Sequence, residues 1–216
     1  YLKNRIRSGQ LEPGQKLPTE QEFIIKYGVS RITIRTALAH LESEGLIVKR
    51  PGIGTFVSEN IPVKKYLIFS GKFPRVLADG EKHRTQPIGI TRIKVGESRN
   101  PRDVKKFFNL NDDDEISKVQ RVRLLDGIPI CYLENYLLPE HADKIDMADF
   151  LIKTMPEVRQ SRLGLVFGQG ELSIEAMPAD QDIAALLDCK AFYTVIFSQL
   201  CYWFPDKRPL QLVHCY

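Results

Sequence analysis

Residues 28–58 read Gly-Val-Ser-Arg-Ile-Thr-Ile-Arg-Thr-Ala-Leu-Ala-His-Leu-Glu-Ser-Glu-Gly-Leu-Ile-Val-Lys-Arg-Pro-Gly-Ile-Gly-Thr-Phe-Val-Ser. Ser30 is a favourable N-cap and Gly45 favours a left-handed end, so the pattern predicts a helix between them. The apolar residues Ile34, Ala37, Leu38 and Leu41 recur at the spacing of one buried helical face. The residues that follow predict a hairpin in which a basic, glycine-containing turn, residues 49–54, joins two short strands.

The predicted helix carries Arg31 and Arg35 one turn apart near its N-terminus, with threonine hydroxyls beside them. Guanidinium groups in this position suit guanine edges in a major groove or backbone phosphates. The alternative is a solvated basic face on an ordinary helix. Upstream, Thr19 and Glu22 predict a capping box that opens a second helix, and residues 1–8 predict the end of another. Three helices followed by a hairpin are typical of a winged helix-turn-helix, which binds DNA.

Four segments of this region, residues 17–22, 29–38, 41–47 and 52–57, together resemble the GntR family of bacterial transcription regulators. The resemblance implies that the arginine-bearing helix contacts DNA and that the hairpin is the wing. Many family members carry an arginine at the position of Gln21 and a polar residue at that of Ile53, so the chain departs from the family there. The implied DNA-binding residues are Ser30, Arg31, Thr33, Arg35, Thr36, Arg50, Gly52, Gly54 and Thr55.

The distribution of charge agrees with this assignment. The chain has a formal net charge of +4. Residues 1–58 contain nine Lys and Arg against five Asp and Glu, whereas residues 59–216 contain 22 of each class. All the excess positive charge therefore lies in the predicted DNA-binding region, where it would supply affinity for the phosphate backbone.

A length of 216 residues predicts two domains. We assign residues 1–58 to the winged helix-turn-helix, residues 59–66 to a linker, and residues 67–216 to a second domain. No stretch is apolar for long enough to span a membrane, and we expect a cytoplasmic protein. The four cysteines, Cys131, Cys189, Cys201 and Cys215, form no short-spaced pair and are expected to be reduced. A metal site formed by Cys215 and His214 is an alternative, but we assign no metal and no cofactor.

The second domain alternates mostly between extended stretches. Strands are predicted at residues 88–95, 116–125, 128–138, 172–177, 192–204 and 210–216, and helices at residues 75–79, 102–108 and 180–187. Many strands with few helices predict an α+β fold, an antiparallel sheet with helices on one side.

One hairpin of this sheet can be predicted in detail, because Asp126-Gly127 is typical of a two-residue type I′ turn. The turn would pair Leu125 with Ile128, Arg123 with Ile130, Arg121 with Tyr132, and Val119 with Glu134. Arg121, Arg123, Tyr132 and Glu134 would then share one face, and Val122, Leu124, Cys131 and Leu133 the core face. The polar face is either a solvated, salt-bridged surface or an anion pocket, since paired guanidiniums suit phosphate or carboxylate.

Residues 119–129, 133–139, 173–176 and 184–187 resemble the UTRA effector domain, which follows the winged helix in the HutC-type branch of the GntR family. The resemblance implies a chorismate lyase-like fold that binds small molecules such as sugar phosphates or urocanate. Gln211 stands where the family usually has an acid. The candidate effector-binding residues are Arg121, Arg123, Glu134, Tyr136, Tyr216, Phe69 and Ser70.

We therefore expect a ligand-responsive transcription regulator, most simply a repressor, and not an enzyme. A homodimer would bind a palindromic operator in double-stranded DNA and would be released by a small anionic effector, a sugar phosphate or a carboxylate. The alternative is a lyase-like enzyme that acts on a small carboxylate and carries an appended DNA-binding domain. The sequence shows no nucleophile–base set, metal spacing or cofactor loop that would favour it.

Overall fold

The computed structural model describes residues 2–60, 67–70, 83–164 and 168–216. The chain divides into two compact units, residues 1–64 with 99–103, and residues 65–98 with 104–216. The first unit contains three helices and a hairpin, which confirms the predicted winged helix-turn-helix order. Its elements are α1 (Leu2–Ser8), α2 (Glu20–Tyr27), α3 (Arg31–Ser43), β1 (Ile47–Arg50) and β2 (Gly54–Val57).

Side-chain caps fix the starts of α2 and α3. The backbone N–H of Thr19 donates to Glu22 Oε2 at 2.7 Å, and the N–H of Glu22 donates to Thr19 Oγ1 at 3.3 Å, which is the predicted capping box. Gly28 ends α2 with a φ of 62°, in the left-handed region that glycine adopts without strain. Ser30 then caps α3 by accepting the N–H of Thr33 at 3.2 Å. The turn between the two helices is therefore only a few residues long.

The core of the first unit is built on one face of α3. Ile34, Leu38 and Leu41 are buried and pack in one cluster with residues of α1, α2 and the hairpin. Ala37, which was expected on this face, is exposed. The hairpin pairs Ile47 with Val57 and residue 50 with residue 54, so the turn is shorter than predicted and comprises residues 51–53.

The second unit is built on one antiparallel sheet of seven described strands in the order β3-β7-β8-β9-β6-β5-β4. The strands are β3 (Leu67–Ser70), β4 (His83–Lys94), β5 (Glu115–Leu125), β6 (Ile128–Leu137), β7 (Gln169–Pro178), β8 (Thr194–Trp203) and β9 (Pro209–Cys215). The six predicted strands are confirmed. In the described part of the chain, no helix combines the length and the apolar character needed to cross a membrane.

Helices lie against both faces of this sheet, so the prediction of helices on one side is wrong. The helices are α4 (Pro101–Phe108), α5 (Pro139–Ala142), α6 (Met155–Leu163) and α7 (Gln181–Leu186), with short 3-10 segments at Val95–Glu97 and Met147–Leu151. The predicted helix at residues 75–79 lies outside the described residues. Helices α4 and α7 pack on the side of Tyr136 and Tyr132, whereas α6 packs on the side of Val119 and Leu137. The sequence pattern did not indicate α6, which covers the second side.

The two sides of the sheet carry different polar residues, and each side takes its name from one of them. The glutamate face bears Glu134, Tyr136 and His214, and the arginine face bears Arg121, Asn135 and Gln211. Strand pairing fixes this division, because Glu134 lies opposite His214 while Asn135 lies opposite Val213.

The hairpin of β5 and β6 has the predicted turn but not the predicted register. Asp126 and Gly127 both have positive φ, 51° and 84°, as a type I′ turn requires, and Leu125 pairs with Ile128. Ile130 is then an extra residue on β6 that pairs with no residue of β5, a β-bulge. It directly follows Pro129, and prolines within sheets are found mainly at edges and bulges. The partners beyond it move by one position, which gives Arg123↔Cys131, Arg121↔Leu133 and Val119↔Asn135. The predicted pairings of Arg123, Arg121 and Val119 are therefore wrong.

Candidate functional site

The start of α3 presents two arginines to solvent. The side chains of Arg31 and Arg35 are 71% and 67% exposed. Glu20, the first residue of α2, lies between them: its Oε2 is 3.5 Å from Arg31 Nε and its Oε1 is 3.3 Å from Arg35 Nε. One carboxylate thus contacts both guanidiniums through their Nε atoms, while both side chains stay largely exposed. Sequence reasoning missed Glu20, although its place directly after the helix cap was a usable signal.

Small hydroxyl side chains and one apolar side chain complete this helix end. Ser30 Oγ and Thr33 Oγ1 are 2.9 Å apart, and Thr36 is exposed one turn beyond. Ile32 is 78% exposed, although it is large and apolar. An apolar side chain among arginines at a helix start has the chemistry to contact a thymine methyl group in a major groove.

The hairpin next to α3 carries a second basic group. The guanidinium of Arg50 lies 4.8 Å from the centroid of the Phe56 ring, and Lys16 Nζ lies 5.9 Å from the same centroid. Lys16 also forms an isolated bridge with Phe56, so the segment before α2 runs against the wing. Sequence reasoning missed Lys16, because it lies outside the helix and hairpin motifs.

The two wing glycines have different reasons to be glycine. Gly52 has a φ of 72° at the turn, and a Cβ there would meet nothing within 4 Å. Gly54 has a φ of 139°, and its Cβ would lie 2.8 Å from Lys16 Cε. Thr55 is partly exposed, and its carbonyl accepts the N–H of Leu17 at 2.8 Å. The wing is also joined to α3 by an ion pair between Lys49 Nζ and Glu42 Oε2 at 2.8 Å.

In the second unit, Arg121 is a buried cation on the arginine face. The residue is 5% exposed, its guanidinium lies 4.4 Å from the centroid of the Phe150 ring, and Nη2 donates to Asn135 Oδ1 at 3.4 Å. Burial, and next the neighbouring charge of Arg123, lower the pKa of Arg121 to about 10. Within the described residues, its Nε has no hydrogen-bond partner and no carboxylate forms an ion pair with it. The site therefore holds a positive charge that the described residues do not neutralise.

A chain of amide side chains extends from Arg121 to a second buried arginine. Gln211 Nε2 donates to Asn135 Oδ1 at 2.8 Å, and Arg159 Nη1 donates to Gln211 Oε1 at 2.7 Å. Arg159, on α6, is 3% exposed and lies 5.1 Å from the centroid of the Tyr202 ring. Burial lowers the pKa of Arg159 also. Asn135 and Arg159 were missed, because the predicted register placed Asn135 elsewhere and no helix was predicted at residue 159.

The glutamate face carries a separate polar group. Glu134 is 1% exposed and accepts the hydroxyls of Tyr132 at 2.9 Å and Tyr136 at 3.0 Å. Burial, and next the charge of Glu134, raise the pKa of Tyr136 well above its usual value. Tyr216 is 4% exposed and stacks on Tyr132, with ring centroids 5.9 Å apart.

The candidate effector-binding residues that were expected to lie together are therefore on opposite faces of the sheet. Arg121 and Arg123 lie on the arginine face, whereas Glu134, Tyr136 and Tyr216 lie on the glutamate face, because Ile130 shifts the register by one residue. The prediction that Arg121, Arg123, Tyr132 and Glu134 share one face is wrong. Phe69 and Ser70 lie on β3, opposite Gly170 and Gln169, but their side chains are outside the described residues.

No group of three or more His, Cys, Asp or Glu that could hold a metal ion occurs in the described ranges of the chain. The side chains that do cluster on the arginine face are guanidiniums and amides, which donate hydrogen bonds and suit oxyanions.

Two family patterns match the sequence. "Bacterial regulatory proteins, gntR family" matches residues 1–57, and "UTRA domain" matches residues 82–216. The HTH-type transcriptional repressor NagR of Bacillus subtilis is 30% identical over 149 residues, which cover 69% of this chain and 59% of NagR. The histidine utilization repressor of Pseudomonas putida is 27% identical over 185 residues, or 85% of this chain and 71% of that protein.

A solved structure supports the same fold. The possible transcriptional regulator YydK of Bacillus subtilis aligns with a TM-score of 0.56 and 23% identity, over 99% of this chain and 90% of YydK. The UTRA match covers more than half of the sequence, and the gntR match covers the three helices and the hairpin of the first unit. The chain belongs to the gntR family of bacterial regulatory proteins and carries a UTRA domain.

Proposed function

We propose that the protein is a repressor of the HutC-type branch, which binds a palindromic DNA operator as a homodimer and leaves it when a small anionic effector binds the second unit. The main support for an anionic effector is Arg121, a buried guanidinium with no ion-paired carboxylate among the described residues. A buried charge without a counter-charge is costly for a fold, and it suits a site that an anion completes.

The DNA-binding part is supported by the first unit. Ser30, Arg31, Thr33, Arg35 and Thr36 lie on one end of α3, and Arg50, Gly52, Gly54 and Thr55 lie on the adjoining wing. Exposed arginines at a helix start can donate to guanine edges, while the wing amides and Arg50 are suited to phosphate. The related proteins named as repressors support repression and not activation.

The proposed effector is defined by its negative charge and not by its chemical identity. On the arginine face, Arg121, Arg123 and Arg159 would bind the anionic group, and Gln211 would orient Arg159. Tyr136, Tyr216 and Glu134 stay candidates on the opposite face, where a carboxylate held by two tyrosine hydroxyls could accept hydroxyl groups. Phe69 and Ser70 stay candidates by resemblance.

A thermal-shift screen identifies the effector class. Sugar phosphates, dicarboxylates and urocanate are tested beside the neutral parent sugars, which are matched in shape but lack the charge. A ligand that binds only the folded state raises the melting temperature, and the shift grows with the logarithm of the ligand concentration over its Kd. A hit among neutral sugars, with none among the anions, contradicts the anionic effector. Recovery of the hit unchanged after incubation separates a sensor from a lyase.

Two variants separate the functions. Arg35→Ala should reduce operator affinity about tenfold to a hundredfold and leave the effector-induced thermal shift unchanged. Arg121→Ala should abolish that shift and leave operator binding that the effector no longer releases. Equal loss of both activities in either variant would contradict a division of labour between the units.

A further inference from the structure

Two of the four cysteines lie side by side on the arginine face. Strands β6 and β9 pair with Leu133 opposite Cys215, and Tyr132 and Tyr216 exchange both backbone hydrogen bonds at 3.0 and 2.9 Å. Cys131 and Cys215, each one residue before these tyrosines, therefore point to the same side as diagonal neighbours. The two thiols are close enough to interact with each other, and neither forms a disulfide.

The environment makes the two thiols unequal. The hydrogen bond from Cys215 lowers the pKa of the Cys131 thiol, and the charges of Arg123 and Arg121 act in the same direction, against the effect of burial. The same hydrogen bond, together with burial, raises the pKa of Cys215 well above its usual value. Cys131 is thus the more acidic of the two thiols. A thiolate favoured by arginines beside a second thiol is the arrangement of oxidant-sensitive cysteines.

The other two cysteines are placed differently. Cys201 packs with Tyr136 on the glutamate face, so the sheet separates it from the pair. Cys189 lies near α7 on that same side, with Val122 and Ile183. Cys131 is 6% exposed and Cys215 is half-buried, so a small oxidant can approach the pair from the side of Cys215.

We propose that Cys131 and Cys215 form an oxidisable thiol pair that closes into a disulfide when the protein meets hydrogen peroxide. The Cys131 thiolate attacks one peroxide oxygen, the O–O bond breaks and hydroxide leaves, which gives a sulfenic acid. The Cys215 sulfur then attacks that sulfenic sulfur, the S–S bond forms, and the hydroxyl leaves with the Cys215 proton as water. The two thiols lose two electrons in total, and the peroxide gains them.

The pair would connect oxidant level to effector binding, a consequence that rests on the proposed function. Each loss of the Cys131 proton would place a negative charge beside Arg121 and Arg123, where it would compete with an anionic ligand. A disulfide carries no charge, so the oxidised protein would bind the anion more tightly than the reduced protein.

The test uses the full chain without DNA or effector, so its outcome is independent of the proposed function. Reduced protein is treated with hydrogen peroxide, free thiols are alkylated, and peptides are analysed by mass spectrometry without reductant. We expect a cross-linked pair of peptides that contain Cys131 and Cys215 and separate on reduction. Cys189→Ser, the matched control, should form the same cross-link. In Cys215→Ser, a sulfenic acid should remain at Cys131 and be trapped by dimedone.

Two results would overturn the proposal. One is complete alkylation of both cysteines after peroxide treatment of the wild-type protein. The other is a cross-link that forms through Cys189 or Cys201 instead. Arg123→Gln adds an independent check, because loss of this guanidinium should slow oxidation of Cys131 several-fold.

Discussion

Arg121 is a single residue whose buried charge lowers the stability of the free protein but is suited to binding an anion. Its guanidinium is 5% exposed and lies on Phe150, and burial lowers its pKa to about 10. At neutral pH the side chain is nevertheless protonated in both the folded and the unfolded chain. The folded state therefore holds a charge that its surroundings disfavour, and this contribution destabilises the free protein.

Arg121→Met should make the free protein more stable. Methionine keeps an unbranched apolar chain against Phe150 and removes the charge, so we expect the free energy of unfolding to rise by about 1–4 kcal/mol. Urea denaturation at neutral pH measures this free energy of unfolding. The control is Arg208→Met, since Arg208 is exposed and forms a surface ion pair with Asp206. This substitution should change the free energy of unfolding little. A less stable Arg121→Met protein would show that the charge is neutralised in the free state.

Glu20 is expected to be a positioning residue for DNA recognition. It contacts the Nε atoms of Arg31 and Arg35 and so restricts their rotamers before DNA arrives. Glu20→Gln removes this restriction and also one negative charge near the phosphates. We expect affinity for non-operator DNA to rise and the ratio of operator to non-operator affinity to fall. Competition binding at one fixed salt concentration measures the ratio, with the neighbouring Gln21→Ala as the control. An unchanged ratio would remove Glu20 from recognition.

At the scale of elements, local patterns predicted which segments form strands and helices, but not which faces they share. The capping box, the apolar face of α3 and the Asp126-Gly127 turn are set by neighbouring residues, and all were predictable. The register beyond the turn depends on Ile130, a single bulged residue that a period-two pattern does not mark. Asn135 was missed because of this shift in register, and Arg159 because no helix was predicted around it.

Helix α6 and the 3-10 segment before it are joined by one carboxylate. Asp149 accepts Arg162 Nε at 2.5 Å and Lys153 Nζ at 3.2 Å. The hydrogen bond from Arg162, and next that from Lys153, lower the pKa of Asp149. Because the folded-state pKa is lowered, the carboxylate stabilises the fold above the ordinary Asp pKa of about 3.9. That contribution is lost as the pH falls through the lower folded-state value.

Asp149→Asn should therefore lower the free energy of unfolding at pH 7, and the difference from wild type should narrow below about pH 4. Denaturation curves of the variant and of the wild type, recorded at pH 7 and below about pH 4, measure the difference in the free energy of unfolding. Asp206→Asn is the control, because Asp206 pairs with Arg208 at an exposed site and should matter less. A difference that does not depend on pH would mean that Asp149 acts through its shape and not its charge.

At the scale of the whole molecule, the charge divides along the chain. The net charge of +4 resides in residues 1–58, and the remainder is balanced. A homodimer would bring two such regions to one operator and double the positive charge that displaces counterions from DNA. The two-unit composition and this asymmetry were readable from the sequence, since composition does not depend on contacts. The candidate effector site was not, because the residues that share a face of the sheet depend on the strand register.

The proposed dimer predicts a stoichiometry. Sedimentation of the protein with a palindromic operator duplex should give two protein chains per duplex, and affinity should fall steeply with salt. A duplex that carries one half-site is the control and should bind much more weakly. One chain per duplex at saturation, with equal affinity for both DNAs, would contradict the symmetric arrangement.

Strand β9 has a further consequence for how the protein is made. It lies between β8 and β6 in the middle of the sheet, although it follows every other described strand in the chain. Strands β4, β5 and β6 can pair as they leave the ribosome, as can β7 and β8, but only β9 joins the two sets. Until it emerges, each set keeps an open edge. The two sets of strands should therefore join only after β9 has emerged, and that strand brings Gln211 and Cys215 to the arginine face.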